Sequence, residues 1–159
     1  MSTFQGLPAH ILLVHFIVVL APLTAILAVV CALWPAARRH LTWLVLILAA
    51  ATTILTPLTT DAGEWLAHRT RRTTLLHTHT ALGDTMLYFS IGLLVAAALL
   101  AYVHLRERRE RPLKPMVRWA VVAVVVVVSV AASVQVYRIG DSGARSAWGN
   151  KVTATTPSK

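Results

Sequence analysis

The chain has 159 residues, 57% of them hydrophobic and 13% charged, with a formal net charge of +9 and a mean hydropathy of +0.67. A soluble domain carries about 45–50% apolar residues and about 25% charged ones, so a purely water-soluble core is excluded and a lipid-facing surface is implied. The positive charge does not point to nucleic acid, because the basic residues gather at the ends of apolar stretches, as membrane topology signals do.

Residues 1–37, 41–60, 85–105 and 119–137 contain no Asp, Glu, Lys or Arg. Crossing the hydrocarbon core takes roughly 20 mainly apolar residues as a helix, and each stretch is within that range. A barrel needs alternating polarity, which the run Val121 to Val128 lacks. The predicted fold is therefore an all-α membrane protein, a four-transmembrane-helix bundle. Cys31 is the only cysteine, so no intrachain disulfide forms. No Lys or Arg precedes the first apolar stretch, and it is longer than the 7–15-residue core of a signal peptide, roughly speaking; it is expected to stay as a span.

In chain order, span one covers approximately 10–34, with Pro8 suited to a first turn and Pro22 expected to kink the middle. A short connector, 35–40, leads to span two at approximately 41–60, which has Pro57 near its end. Residues 61–80 allow a helical extension and a turn. Span three covers approximately 81–105, a basic connector runs over 106–116, and span four covers approximately 117–137. Residues 1–140 form the membrane domain, and 141–159 are expected to be a short, partly disordered extramembrane tail. No internal repeat is expected. The short connectors hold the densest arginine clusters, so they are placed in the cytoplasm and both termini outside. Trp34, Trp43, Tyr102 and Trp119 fit an aromatic belt at the inner face.

Placed by depth, most polar residues fall at the outer end: His10, His15, Asp61, Glu64, His68, His77, His79, Asp84, Tyr137, Arg138 and Asp141. Ionisable groups near hydrocarbon are costly and tend to face the bundle interior. His15 is expected to pack inward toward span two or three, as a metal or haem ligand, a proton-transfer group or a hydrogen-bonded core histidine. His10 is five positions earlier and about 140° round the helix, so the two do not share a face. Asp61, Glu64 and His68 lie at i, i+3, i+7 and share a face if span two continues. His77 and His79 would chelate a metal only in an extended segment. Asp84 and Tyr88, at i, i+4, are expected to hydrogen-bond inside the bundle. Thr52, Thr56, Thr59 and Thr60, with Ser129 and Ser133, read as interhelical packing. The run from Arg106 to Arg111 reads as a topology signal.

The segment Gly6-Leu7-Pro8-Ala9-His10-Ile11-Leu12-Leu13-Val14-His15-Phe16 resembles the opening motif of a bacterial membrane-protein family catalogued as domain of unknown function 2231. Thr59 to Trp65, His79 to Asp84 and Tyr137 to Ala144 resemble its actinobacterial branch. The chain has Ile11 and Ile17 where family members commonly have proline, and Asp141 where many have histidine, which weakens a four-histidine metal site. Some relatives look fused to Rieske-type iron–sulfur domains, which implies redox work for those proteins.

The candidate cofactor ligands are His15, His79, His10 and Glu64, with His15 and His79 as the metal or haem b pair, His10 as the better match to His79 in depth at a more exposed site, and Glu64 as an acceptor for an imidazole N–H. Asp61, Asp84, Tyr137, Arg138 and Asp141 complete the polar cluster. Three function classes stay open: a non-catalytic subunit or assembly factor, a redox or metal-binding module, and a proton or ion pathway. No nucleophile–base–orienter set or phosphate-binding loop is present. The expected partners are the lipid bilayer and another membrane or redox protein, or a second copy of the chain.

Overall fold

A computed structural model describes residues 3–4, 7–68, 74–111 and 113–153 of the chain. Its elements are β1 (Thr3–Phe4), β2 (Leu7–Pro8), α1 (Ala9–Leu33), α2 (Pro35–Ala67), α3 (Thr74–Arg108) and α4 (Pro115–Thr153). The two strands form a minimal antiparallel pair, with Thr3 opposite Pro8 and Phe4 opposite Leu7. All four helices are long and apolar enough to cross a membrane. The architecture is the expected all-α four-helix bundle.

The helix boundaries differ from expectation at the start of α2 and at the end of α4. Residues 35–40 are not a connector but the first turns of α2, and only Trp34 separates α1 from α2. Trp34 is extended (φ −116°, ψ 107°), and Pro35 then opens α2 at a position where its fixed φ is helical and its missing N–H costs nothing. α4 runs past Tyr137 to Thr153, so residues 141–153 of the expected tail are helical; 154–159 lie outside the described residues. The Arg145 Nε–Asp141 Oδ2 ion pair at 3.0 Å, an i, i+4 pair, supports the helix through the stretch holding Gly140 and Gly143.

α3 ends in a Schellman turn. Arg111 N–H reaches Arg106 O and Glu110 N–H reaches Glu107 O, both at 3.1 Å, with Glu110 at φ 52°. This left-handed position favours glycine, because a Cβ crowds the following carbonyl. Glu110→Gly is expected to raise stability by about 1 kcal/mol, measured as an upward shift in thermal unfolding in mild detergent.

Each helix packs against its chain neighbours, α4 closes the ring against α1, and α1 also approaches α3 across the diagonal. The core is built in two layers. Ala28, Cys31, Ala32, Val45, Ala49, Ala96, Ala97, Leu100, Val122 and Val125 fill the half near the short connectors. Ile17, Ala21, Ala25, Met86, Leu93, Ala132 and Val136 fill the half near the termini. Small residues dominate because helices in lipid gain from close backbone approach and not from hiding apolar area. Phe16, Ile26, Ile47, Ile54 and Val127 point outward and are exposed, as are Trp34, Trp43, Tyr102 and Trp119 of the expected aromatic belt.

The buried threonines of α2 pack inside the bundle as expected, but their hydroxyls mostly do not hydrogen-bond across to other helices. Thr52, Thr53, Thr56 and Thr59 each donate to the carbonyl four residues earlier on α2, at 2.7–2.9 Å. Of these four, only Thr53 also reaches another helix among the described residues, at the Ser90 carbonyl of α3, 3.0 Å away. A hydroxyl surrounded by apolar groups takes the nearest acceptor, and in a helix that is its own preceding turn.

The bundle is a repeated hairpin, contrary to the expectation of no internal repeat. One constant sequence offset carries His10 onto His79, Ile17 onto Met86, Ala21 onto Ser90, Thr24 onto Leu93, Ala28 onto Ala97 and Cys31 onto Leu100. A second carries Pro35 onto Pro115, Val45 onto Val125, Thr52 onto Ala132, Asp61 onto Asp141 and Gly63 onto Gly143. The core positions in these pairs are all buried. Buried stripes alone would also coincide after a slip of one or two turns; the histidine, proline, aspartate and glycine landmarks fix the register. α1–α2 and α3–α4 are therefore equivalent halves. The two connectors within the halves differ in length, and the apolar residues are interchangeable between repeats, which hides the relation in the sequence.

Candidate functional site

The repeat brings two histidines together at the end of the bundle that carries the termini. His10 is the second residue of α1, seven positions before the buried Ile17, so its ring turns inward. Its Nδ1 lies 3.0 Å from the Thr59 carbonyl of α2. A carbonyl only accepts, so Nδ1 carries the proton and donates. A Cβ at Gly63 would stand 2.8 Å from His10 Cε1 and 2.9 Å from its Nδ1; only a glycine lets the ring lie against α2.

His79 repeats this arrangement on α4. Its Nδ1 lies 3.0 Å from Ser142 Oγ, and that hydroxyl donates to the Ile139 carbonyl at 2.9 Å. The serine proton is thus engaged, and Oγ accepts from His79 Nδ1–H. A Cβ at Gly143 would meet His79 Cε1 at 3.0 Å. Thr59 and Ile139 each precede their glycine by four residues. The two rings meet edge-on across the diagonal, with centroids 6.5 Å apart and planes at 80°.

The pair is His10 with His79, and not His15 with His79. His15 is exposed, against the expectation that it packs inward. It stands two positions from the inward-facing Ile17, about 200° away round the helix. Asp84 and Tyr88 are both exposed as well, Tyr88 at 76%. They stand two positions from the buried Met86 and Ser90, so the hydrogen bond expected inside the bundle has no place there. His77 and His79 sit on a helix, where neighbours two apart diverge; His77 is exposed and the HxH does not chelate.

Most of the remaining polar residues line two surface grooves. Glu64, His68, His77 and Asp84 line a groove of about 350 Å³ between α2 and α3. Tyr137, Arg138, Asp141, Ser142 and Arg145 line one of about 320 Å³ between α3 and α4, together with Thr78. Asp61, Glu64 and His68 do share a face, and it is exposed. Glu64 therefore lines a groove and not the histidine pair. Gly83 opens onto free space, with nothing within 4 Å of an added Cβ. Among the described residues no three His, Cys, Asp or Glu side chains converge as metal ligands.

Sequence reasoning missed two buried polar ties. Gln135, buried on α4, donates through Nε2 to the Leu82 carbonyl at 3.0 Å and to Thr85 Oγ1 at 2.7 Å on α3. At the connector end Arg38, one of the arginines clustered in the short connectors, is 1% exposed. Its Nε and Nη2 donate to Glu107 Oε2 and Oε1 at 3.0 and 2.6 Å, and its Nη1 donates to the Cys31 and Ala32 carbonyls at 2.8 and 3.2 Å. One guanidinium therefore caps α1 and ties α2 to α3. The signal was present: Arg38, Thr42, Val45, Ala49 and Thr52 follow the three- and four-residue spacing of one helix face.

Length, apolar surface and an interior of small residues and backbone-directed polar ties define a multi-pass helical membrane protein. A family model described as a predicted membrane protein, DUF2231, matches residues 6–156. The chain belongs to that family. No curated protein and no solved structure matches it.

Proposed function

We propose that this chain is a non-catalytic, multi-pass subunit of the bacterial plasma membrane, with its termini outside and its outer end presented to a partner protein. The observation that carries this reading is the division of polar groups at that end. His10 and His79, turned inward, are engaged in ties between helices, and most of the polar groups turned outward line two open grooves. A catalytic centre needs nucleophile, base and orienting group to converge on one cavity. Here Glu64 and Asp84 line one groove while Asp141 lines the other.

Photo-crosslinking residues placed at Asp84 and Arg145, in membranes of the native host, test the proposal. The same protein adduct at both positions is expected, with none at the lipid-facing Ile47 and Val127. Adducts of equal yield at all four positions, or none at the two groove positions, would defeat it.

Topology gives a second expected outcome. Arginine density in the connector places it in the cytoplasm, so a cysteine at Ser2 should react with an impermeant maleimide in intact cells. One at Arg109 should react only after lysis. Labelling of Arg109→Cys from outside would reverse the orientation.

A further inference from the structure

The two imidazoles at the termini end both have Nδ1 engaged by the next helix, one at a backbone carbonyl and the other at a hydroxyl. His10 Nδ1–H is committed to the Thr59 carbonyl and His79 Nδ1–H to Ser142 Oγ, both at 3.0 Å. A neutral imidazole with its proton on Nδ1 carries a lone pair on Nε2. Tying one ring nitrogen to a carbonyl or hydroxyl is how proteins fix the tautomer and orientation of a metal-binding histidine. Two ties between helices would not by themselves require the rings to meet. Yet the repeated hairpin brings them from diagonal helices to 6.5 Å between centroids, each seated over a glycine of the next helix.

We propose that Nε2 of His10 and Nε2 of His79 together hold one first-row transition-metal ion, copper in preference to zinc, where the two halves of the bundle meet. The spacing suits it. With metal–nitrogen bonds of about 2.0–2.1 Å, two imidazoles on opposite sides of one ion have centroids roughly 6 Å apart. Copper stands at the top of the affinity order for such nitrogen sites, whereas zinc favours four ligands. Water or a small exogenous ligand completes the coordination, since no third protein ligand converges there among the described residues. Such a two-nitrogen site holds its ion exchangeably, as suits uptake and release more than permanent structure. The site goes beyond the partner role proposed above and does not depend on it.

Tag-free full-length protein in mild detergent is stripped with a chelator, equilibrated with cupric or zinc ion, desalted and assayed for metal, with electron paramagnetic resonance on the copper form. A single copper per chain is expected, with hyperfine structure from two imidazole nitrogens and less zinc retained. His10→Asn and His79→Asn keep an amide N–H near the Nδ1 position, so the helix ties survive while the Nε2 lone pair is lost. Each should weaken copper binding by roughly tenfold or more, and His15→Asn should leave it unchanged. The proposal is overturned by protein that retains no copper, or by copper that survives both Asn variants. Loss on His15→Asn, or uptake of haemin in place of the bare ion, would overturn it as well. Should the variants not fold, the wild-type spectrum still decides, because hyperfine structure from fewer than two nitrogens contradicts the site.

Discussion

Glu107→Leu is expected to destabilise the bundle by about 3–5 kcal/mol, the range for breaking a buried ion pair from one side. The asymmetry of the pair sets the size of the effect. Arg38 is sealed from water at 1% side-chain exposure, while Glu107 keeps 29%. Removing the carboxylate strands a guanidinium that retains only the Cys31 and Ala32 carbonyls. Removing the arginine instead leaves a carboxylate that water can reach, so Arg38→Met should cost less, although it also uncaps α1. The double variant Arg38→Met/Glu107→Leu should recover much of the loss, since an apolar pair of similar volume avoids the desolvation cost. Thermal unfolding of the four proteins in one detergent forms a double-mutant cycle. Single effects that simply add in the double variant would show that the pair is not coupled.

Gly63→Val should be the most damaging change at the termini end. A Cβ alone would meet His10 Cε1 at 2.8 Å, inside contact distance, and valine adds two methyl groups to it. The ring cannot stay over α2, so its hydrogen bond to Thr59 is lost and a donor is left without its partner, at about 1–3 kcal/mol. Overpacking adds about 1–3 kcal/mol where the helices cannot move apart. Gly143→Val should repeat the effect at His79 more mildly, because the nearest approach there is 3.0 Å. Gly83→Val is the control, since an added Cβ there meets nothing within 4 Å. If the valine variant of Gly63 unfolds no earlier than that of Gly83, His10 does not lie against α2.

The four spans were legible because lipid imposes a simple rule: about 20 apolar residues in a row can only be a helix. The termini end was legible as a polar region but not as a geometry. Depth along a helix follows from counting residues, whereas facing depends on the direction of the core. In a helix that is apolar all round, such as α1, the core stripe of Ile17, Ala21 and Ala28 does not stand out by composition. Depth alone singles out His15, although a residue two positions from a core residue points away from the core. The glycines carried the missing information. Gly63 and Gly143, each with an aspartate two residues before it, mark the notches that receive His10 and His79. Reading Asp61-Ala62-Gly63 against Asp141-Ser142-Gly143 would have exposed the repeat and paired the right histidines. Arg38 was missed for a different reason, because a charge at a helix end is usually a topology signal and its carboxylate partner lay inside a basic run.

The most direct test of the account is magic-angle spinning NMR on the protein in lipid bilayers with uniformly labelled histidine. The repeated hairpin predicts a ring–ring correlation between His10 and His79 at the 6.5 Å spacing, with both rings protonated on Nδ1 and bare on Nε2 in metal-free protein. The correlation should vanish in His10→Asn and persist in His15→Asn. A His79 ring that correlates with His15, or with no histidine at all, would contradict the pairing and the equivalence of the two halves.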